Sequence, residues 1–302
     1  MSLGCDCLTG LSNTGRPSCV DTFSVTSGLI MVALKGNDGV LNGIDLSASV
    51  PTWSDLINQS DASKRWIPIG SFENVELPKA DSLFEEANSG KMAFLRQGKR
   101  SFSGELWSED STPTLLGKLQ NNRCVDFGVY IVDVNGNLIG SKSNGFLYPI
   151  PVDNPSFDPK FAFATDSTVQ KLMIAFDVYR LFDESTMSMI TTTEAGVNFN
   201  DLDGLVDVVL AEVSLTNTLL TATAEFQYGT AYNPLKYKGA LLADWAIYDS
   251  TNTIVVGGVS GNAEAPDGTY ALTLSGLTTG DVYELRTAKD GFSGKLSFTA
   301  VV

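Results

Sequence analysis

Val125-Asp126-Phe127-Gly128-Val129-Tyr130-Ile131-Val132-Asp133-Val134-Asn135-Gly136-Asn137-Leu138-Ile139-Gly140-Ser141 reads as a strand, a turn and a returning strand. β-Branched and aromatic residues dominate Val125 to Val134, as they do in strands. Asn135-Gly136 is the preferred pair for a two-residue hairpin turn, where both central positions need positive φ. Asp133-x-Asn135-Gly136-Asn137 also resembles part of a calcium loop. The twelve-residue pattern with its closing Glu is absent, so the stretch is read as a hairpin.

Working toward the N-terminus, Thr112 suits a helix cap and Pro113 the first helical position, where a missing N–H costs nothing. Leu115, Leu116 and Leu119 would form the buried face of that helix, which ends near Asn121-Asn122. Lys91 to Trp107 carries two strands through Gly98, Met92-Ala93-Phe94-Leu95 and Ser101-Phe102-Ser103-Gly104-Glu105-Leu106-Trp107. In the second, Phe102, Gly104 and Leu106 share one face, and Ser103, Glu105 and Trp107 the other. Leu83, Phe84 and Ala87 make one apolar stripe ahead of Gly90, which predicts a short helix over Ala80 to Asn88. Two strand pieces, Trp66 to Ile69 and Phe72 to Leu77, end at Pro78. The block from Trp66 to Ser141 holds no catalytic motif and has the look of a structural unit made to join copies of itself.

Farther out, Phe23 to Leu34 predicts one or two strands before the turn Gly36-Asn37-Asp38-Gly39. Val40 to Leu46 follows as a shorter strand, and Val50 to Ile57 ends in a helical turn. Downstream, four prolines in Phe146 to Phe161 predict an extended, poorly hydrogen-bonded connection. Val169 to Phe182 is expected to be the longest strand, with Leu172, Ile174, Phe176 and Val178 on one face, and another strand is expected around Ser188 to Thr192. Asn198 to Gly204 is the best boundary. Beyond it come seven short strands in about a hundred residues, the signature of an immunoglobulin-like sandwich. They are Val206–Leu215, Leu219–Phe226, Ala240–Tyr248, Ile254–Val259, Tyr270–Leu274, Val282–Ala288 and Lys295–Val301, with Trp245 and Leu274 as core anchors. This part has no cysteine, so the sandwich lacks an inter-sheet disulfide.

The 302 residues are 43% hydrophobic and only 18% charged, a foldable composition that leaves part of the surface for something other than water. A net charge of −15 repels phosphate, so the chain is not expected to grip nucleic acid. With no histidine, Ser-His and Cys-His catalysis and most zinc and copper sites are removed, and no enzyme activity or cofactor is expected. Cys5, Cys7, Cys19 and Cys124 are the candidates for a structural zinc. Cys-x-Cys is shorter than the usual zinc spacing, and reduced thiols are the preferred reading. No run approaches the ~18 apolar residues of a membrane span, and the start lacks the pattern of a secretory signal, so a product made in a cytosol, and kept there or assembled there into a particle, is expected.

The division is then a cysteine-containing N-terminal arm (1–22), a β domain with two short helices (23–200) and an immunoglobulin-like sandwich (205–302). The block Trp66-Ile67-Pro68-Ile69-Gly70, the stretch Ala80 to Asn88, Phe102 to Leu106, the helix capped at Thr112 and Asp133 to Gly140 resemble tail-tube and connector-ring proteins of tailed bacteriophages. The resemblance includes those of phages infecting Bacteroidota, the crAss-like group. That resemblance implies a mainly β protein, a sandwich or barrel of the tail-tube kind followed by an immunoglobulin-like domain. It implies a virion subunit, assembled in the host cytoplasm, which joins copies of itself into a ring or tube. Its partners would be other tail or connector proteins. Genomic DNA would pass through the lumen without specific binding, the strands around Lys91–Trp107 and Val125–Ser141 would form the inner barrel, and the C-terminal sandwich would sit outside. A competing reading is an adhesin or capsid decoration protein whose C-terminal sandwich binds through Tyr228, Tyr232 and Tyr237 near Asn233-Pro234. A carboxylate-pair hydrolase using Asp201 and Asp203 is a third, and two Asp beside a Gly are far more often a solvated turn.

Overall fold

A computed structural model describes Gly15 and residues 22–59, 61–107, 111–230, 232–289 and 291–301. Its N-terminal part runs β1 (Thr26–Ala33), β2 (Ile44–Asp45), α1 (Trp53–Ile57), β3 (Ile67–Ile69), β4 (Phe72–Glu76), β5 (Leu83–Glu86), β6 (Met92–Arg96), β7 (Ser101–Trp107) and α2 (Pro113–Asn121). It continues with β8 (Phe127–Asp133), β9 (Leu138–Ser143), β10 (Phe146–Tyr148), β11 (Ile150–Pro151), β12 (Asp158–Ala162), β13 (Lys171–Asp177), β14 (Met187–Ile190) and α3 (Thr192–Ala195).

One sheet has the order β2-β10-β9-β8-β1-β3, with β11 on β8 and β14 on β9; a second has the order β12-β13-β7-β4. The two sheets face each other across Leu29, Met31, Val129 and Ile131 from one side and Phe102, Leu106, Leu172, Ile174 and Phe176 from the other. The larger sheet is also covered on its far face. There Ile30, Val32, Tyr130 and Val132 pack against Trp53, Ile57, Trp66 and Phe199. Trp53 donates from Nε1 to the Ala195 carbonyl at 2.9 Å, and the Tyr130 hydroxyl donates to the Leu147 carbonyl at 2.9 Å. All seven residues of β8 are therefore buried, which is why Phe127 to Val132 reads as an unbroken apolar run instead of an alternating one.

The cap on α2 forms as read. Thr112 Oγ1 accepts from the Leu115 N–H at 3.1 Å, Pro113 opens the helix, and Leu119 is buried with Leu115 and Leu116 half-buried beside it. The turn after β8 differs from expectation. Only Gly136 has positive φ, +77°, so Asp133 to Gly136 is a four-residue turn closed by Gly136 N–H to the Asp133 carbonyl at 2.8 Å. Asp133 is wholly buried, and its carboxylate accepts from the backbone N–H of Asn135 and of Asn137 and from Asn137 Nδ2. An Asp so engaged locks a hairpin. The prolines of 146–161 also leave more pairing than expected, because β10, β11 and β12 each find a ladder. The regular part of Val169 to Phe182 is the seven-residue β13, shorter than the twelve-residue strand after Thr218. Its alternation of buried Leu172, Ile174 and Phe176 is as read.

The largest departure is at Ala80 to Asn88, which is strand and turn. β5 pairs antiparallel with β6, and Phe84 and Phe94 meet edge to face at 5.6 Å between centroids. Gly90, read as a helix cap, is the positive-φ residue of the turn, and its N–H donates to the Ala87 carbonyl. A short helix with no surface behind its stripe is marginal, whereas the hairpin gains a cross-strand aromatic pair at once.

The C-terminal part runs β15 (Val206–Leu215), β16 (Leu219–Thr230), β17 (Asn233–Lys236), β18 (Trp245–Tyr248), β19 (Val259–Glu264), β20 (Thr269–Leu274), β21 (Val282–Lys289) and β22 (Phe292–Thr299). Its strand order is β18-β21-β22-β15-β16-β20-β19, with β17 on β16. β15 pairs antiparallel with β16, while its first residues pair in parallel with β22 at Val206↔Phe292 to Val209↔Lys295. That places β19-β20-β16-β15 on one side and β18-β21-β22 on the other, the immunoglobulin-like arrangement of a sandwich joined by its first strand. Trp245 is buried on β18 and lies 5.1 Å from Tyr270 between centroids. Tyr283, near the start of β21, accepts at its hydroxyl from the Thr278 N–H at 3.0 Å, a tyrosine corner that ties the preceding loop to the strand. Two of the expected strands move. Ala240 to Asp244 is a loop and tight turn before β18, and Ile254 contributes only an isolated bridge before β19 begins at Val259. This core uses no residue before Val208, and the two cores of the N-terminal part use none after Leu205.

Candidate assembly interface

β5 and β6 form a two-stranded sheet of their own, pairing with no other strand among the described residues. Every residue of both strands is exposed. Leu83, Phe84, Met92, Phe94 and Leu95 are each between 47% and 61% exposed, although each is a residue type that belongs in a core. Phe84, Met92 and Phe94 lie on one face of the ribbon as cross-strand neighbours. The register slips between Leu83 and Phe84, which leaves Leu95 unpaired at a bulge. A lone hairpin is marginally stable in water, and a contiguous apolar ribbon with polar surroundings marks an interaction surface.

The arm is long because its stem continues the ladder of β4 and β7. Ser101 N–H donates to the Pro78 carbonyl at 3.0 Å, Ala80 N–H to the Lys99 carbonyl at 2.8 Å, and Lys79 bridges Arg100. The two strands of the stem close tightly at Gly98, where an added Cβ would fall 1.7 Å from the Ala80 carbonyl oxygen. Only glycine permits that approach.

The root is fixed to the body by charge. Glu184 receives Lys79 Nζ at 2.8 Å and Arg100 Nε at 2.9 Å, while Lys99 Nζ lies 3.2 Å from Asp153 and 3.0 Å from Asp177. The hydrogen bond from Arg100 holds the Glu184 carboxyl below the ordinary glutamate value, assisted by Lys79 against partial burial. Burial pushes the Asp177 carboxyl up, but hydrogen bonds from Ser101 and Lys99 outweigh it and leave it lowered. Hydrogen bonds to Asp177 and then Asp153 raise the Lys99 ammonium. An aimed, charge-anchored ribbon tipped with apolar side chains is suited to dock on another protein surface.

The residues singled out in the sequence do not gather into one site. Cys5, Cys7 and Cys19 lie outside the described residues. Cys124 is a free, exposed thiol at the end of the turn after α2. Among the described residues no group of His, Cys, Asp or Glu is arranged to hold a metal ion. Tyr237 is no surface contact: it is buried, its hydroxyl 3.3 Å from Thr287 Oγ1. Tyr232 is fully exposed. Asp201 ends a single tight turn and Asp203 follows in the linker, both exposed and neither bound to the other. No described helix is long and apolar enough to cross a membrane. The helical stripe of Leu83, Phe84 and Ala87 masks the arm in the sequence. The pair of short apolar runs flanking Asn88-Ser89-Gly90 was the available signal.

No family model and no curated protein matches the chain. Among solved structures, the ectodomain of mouse nectin-like molecule 4 (Ig1–Ig3) overlaps 93% of this chain and 97% of its own at 10% identity, with a TM-score of 0.17. A TM-score that low carries no argument, and the immunoglobulin-like assignment rests on strand order, Trp245 and the tyrosine corner.

Proposed function

We propose that the chain is a non-enzymatic structural subunit of a tailed-bacteriophage particle, part of a tail tube or head–tail ring through which DNA passes. The observation that carries this reading is the β5–β6 arm, an apolar ribbon that no other described strand of its own chain pairs with and that ion pairs hold to the body at its root. Arms of this kind lock successive copies when an interface is head to tail and the rotation closes. The net charge of −15 supports a passage that does not hold phosphate. In this reading the N-terminal sandwich forms the wall, with β8 inside that wall because both its faces are buried and β6 in the arm instead of an inner barrel, and the immunoglobulin-like part sits outside it. The protein assembles in the host cytoplasm, and its other partners are tail or connector proteins of the virion.

The test is the mass and shape of the purified chain. Mass photometry and negative-stain microscopy across a concentration series should reveal rings or tubes with a central hole. Replacing 82–97 by a short Gly-Ser linker should abolish them while the melting transition of the body is retained. Wild-type particles that persist without the arm would refute the role given to it.

A further inference from the structure

Two cavities, of about 630 and 690 Å³, share Leu34, Leu41 and Asp126 in their linings and so adjoin one another along a trough-like face of the N-terminal part. Its walls are mostly apolar, and Leu41, Tyr179 and Leu181 on them are exposed. No residue of the β5–β6 arm lines either cavity, although the arm's root stands at one lip, where Asp153 both binds Lys99 and lines the first cavity. The chain thus carries two apolar surfaces, a ribbon and a trough, that do not meet within one copy.

Charge sets a direction. The first cavity has Asp126, Asp183 and the Lys99-paired Asp153 in its lining, while the second shares Asp126 and adds Lys35 and Arg65. Along the arm the order runs the same way. Arg96 lies toward the root, opposite Leu83, and Glu85 and Glu86 lie toward the tip, beside Lys91. Lys91 and Arg96 form no ion pair among the described residues. An arm laid root-side on the acidic cavity and tip-side on the basic one sets Arg96 against carboxylates and Glu85 and Glu86 against Lys35 and Arg65, with Lys91 the one charge at the tip left unmatched. Half-exposed side chains of this size leave on the order of 100 Å² each. Phe84, Met92 and Phe94, the three on one face, therefore supply about 300 Å² of the roughly 800 Å² per partner in a standard interface.

We infer that the trough is the seat of the β5–β6 arm of a second copy of this chain, Arg96 over its carboxylates and Phe94 against Leu181 and Tyr179. The inference rests on the self-assembly reading and adds the acceptor surface. The contact is heterologous, arm of one copy to trough of the next, so it closes into a ring or runs on as a filament.

The test mixes two defective chains. Phe94→Asp spoils the arm and keeps the trough; Leu181→Asp spoils the trough and keeps the arm. Both positions are exposed, so both variants should melt as wild type does. At concentrations where wild type assembles, each alone should stay monomeric by mass photometry. An equimolar mixture should form a dimer of twice the monomer mass and stop there, because the mixed pair has one intact contact. If wild type assembles but the mixture stays monomeric, or Leu181→Asp alone assembles as wild type does, the arm seats elsewhere and the inference fails while self-assembly stands. Wild type that is monomeric throughout overturns both.

Discussion

Substituting Gly98 by alanine tests whether the arm is aimed by its stem. An added Cβ would sit 1.7 Å from the Ala80 carbonyl oxygen, 2.5 Å from its carbon and 2.9 Å from the Asp81 carbonyl oxygen. Ordinary contact begins near 3.4 Å, so the strands must part by roughly 1.5 Å or more. A shift of that size breaks the 2.8 Å bond from Ala80 N–H to the Lys99 carbonyl and strains the Lys79–Arg100 bridge beside it. Losing one or two such bonds costs about 2 kcal/mol locally. Because the stem is no part of the hydrophobic cores, that cost falls on opening of the arm and not on global unfolding. Hydrogen exchange at Ala80 should therefore speed up roughly 30-fold with the melting temperature unchanged, and assembly should fall with it. Gly70→Ala is the control, since a Cβ there meets nothing within 4 Å and φ is not positive. Exchange at Ala80 as slow in Gly98→Ala as in wild type would refute the reasoning.

Other perturbations bear on the body and on the root. Asp133→Ala removes an acceptor from three N–H donors at a buried turn and should destabilise the N-terminal part by about 3 kcal/mol in urea unfolding, with calcium or chelator making no difference. Tyr283→Phe removes the hydroxyl that receives Thr278 N–H and should cost about 1 kcal/mol by the same measurement. Glu184 has its folded value lowered, so its contribution is complete above the ordinary glutamate value of 4.5 and is lost as pH falls through the lowered one. Proteolysis of the arm should accordingly become faster on acidification below pH 4.5, and Glu184→Gln should show the faster rate already at pH 7.

Much of the scaffold was legible because local chemistry and tertiary role agree. The α2 cap, the alternation in β7 and β13 and the turn-punctuated strands of the C-terminal sandwich follow from residues within a few positions of one another. What escaped depends on distant partners or on their absence. Leu83-Phe84 shows a helical stripe in isolation and becomes strand by pairing with Met92 to Arg96. The Asn135-Gly136 turn is decided by the wholly buried Asp133, which gathers three donors and selects a four-residue turn. Burial on both faces of β8 needs α1 and the 195–199 segment, and nothing in its seven residues names them. Tyr237 beside Asn233-Pro234 had the look of a surface aromatic and is core, because Phe226, Tyr270 and Phe292 surround it.

The central claim is that copies of this chain complete their apolar surface on one another. Its most direct test is sedimentation equilibrium of the wild-type protein from low micromolar to millimolar concentration, with electron microscopy of the heaviest species. Closed rings or tubes with an open centre, built from many copies of the chain, are the expected result. A single species at the 32.3 kDa monomer mass over the whole range would contradict the claim.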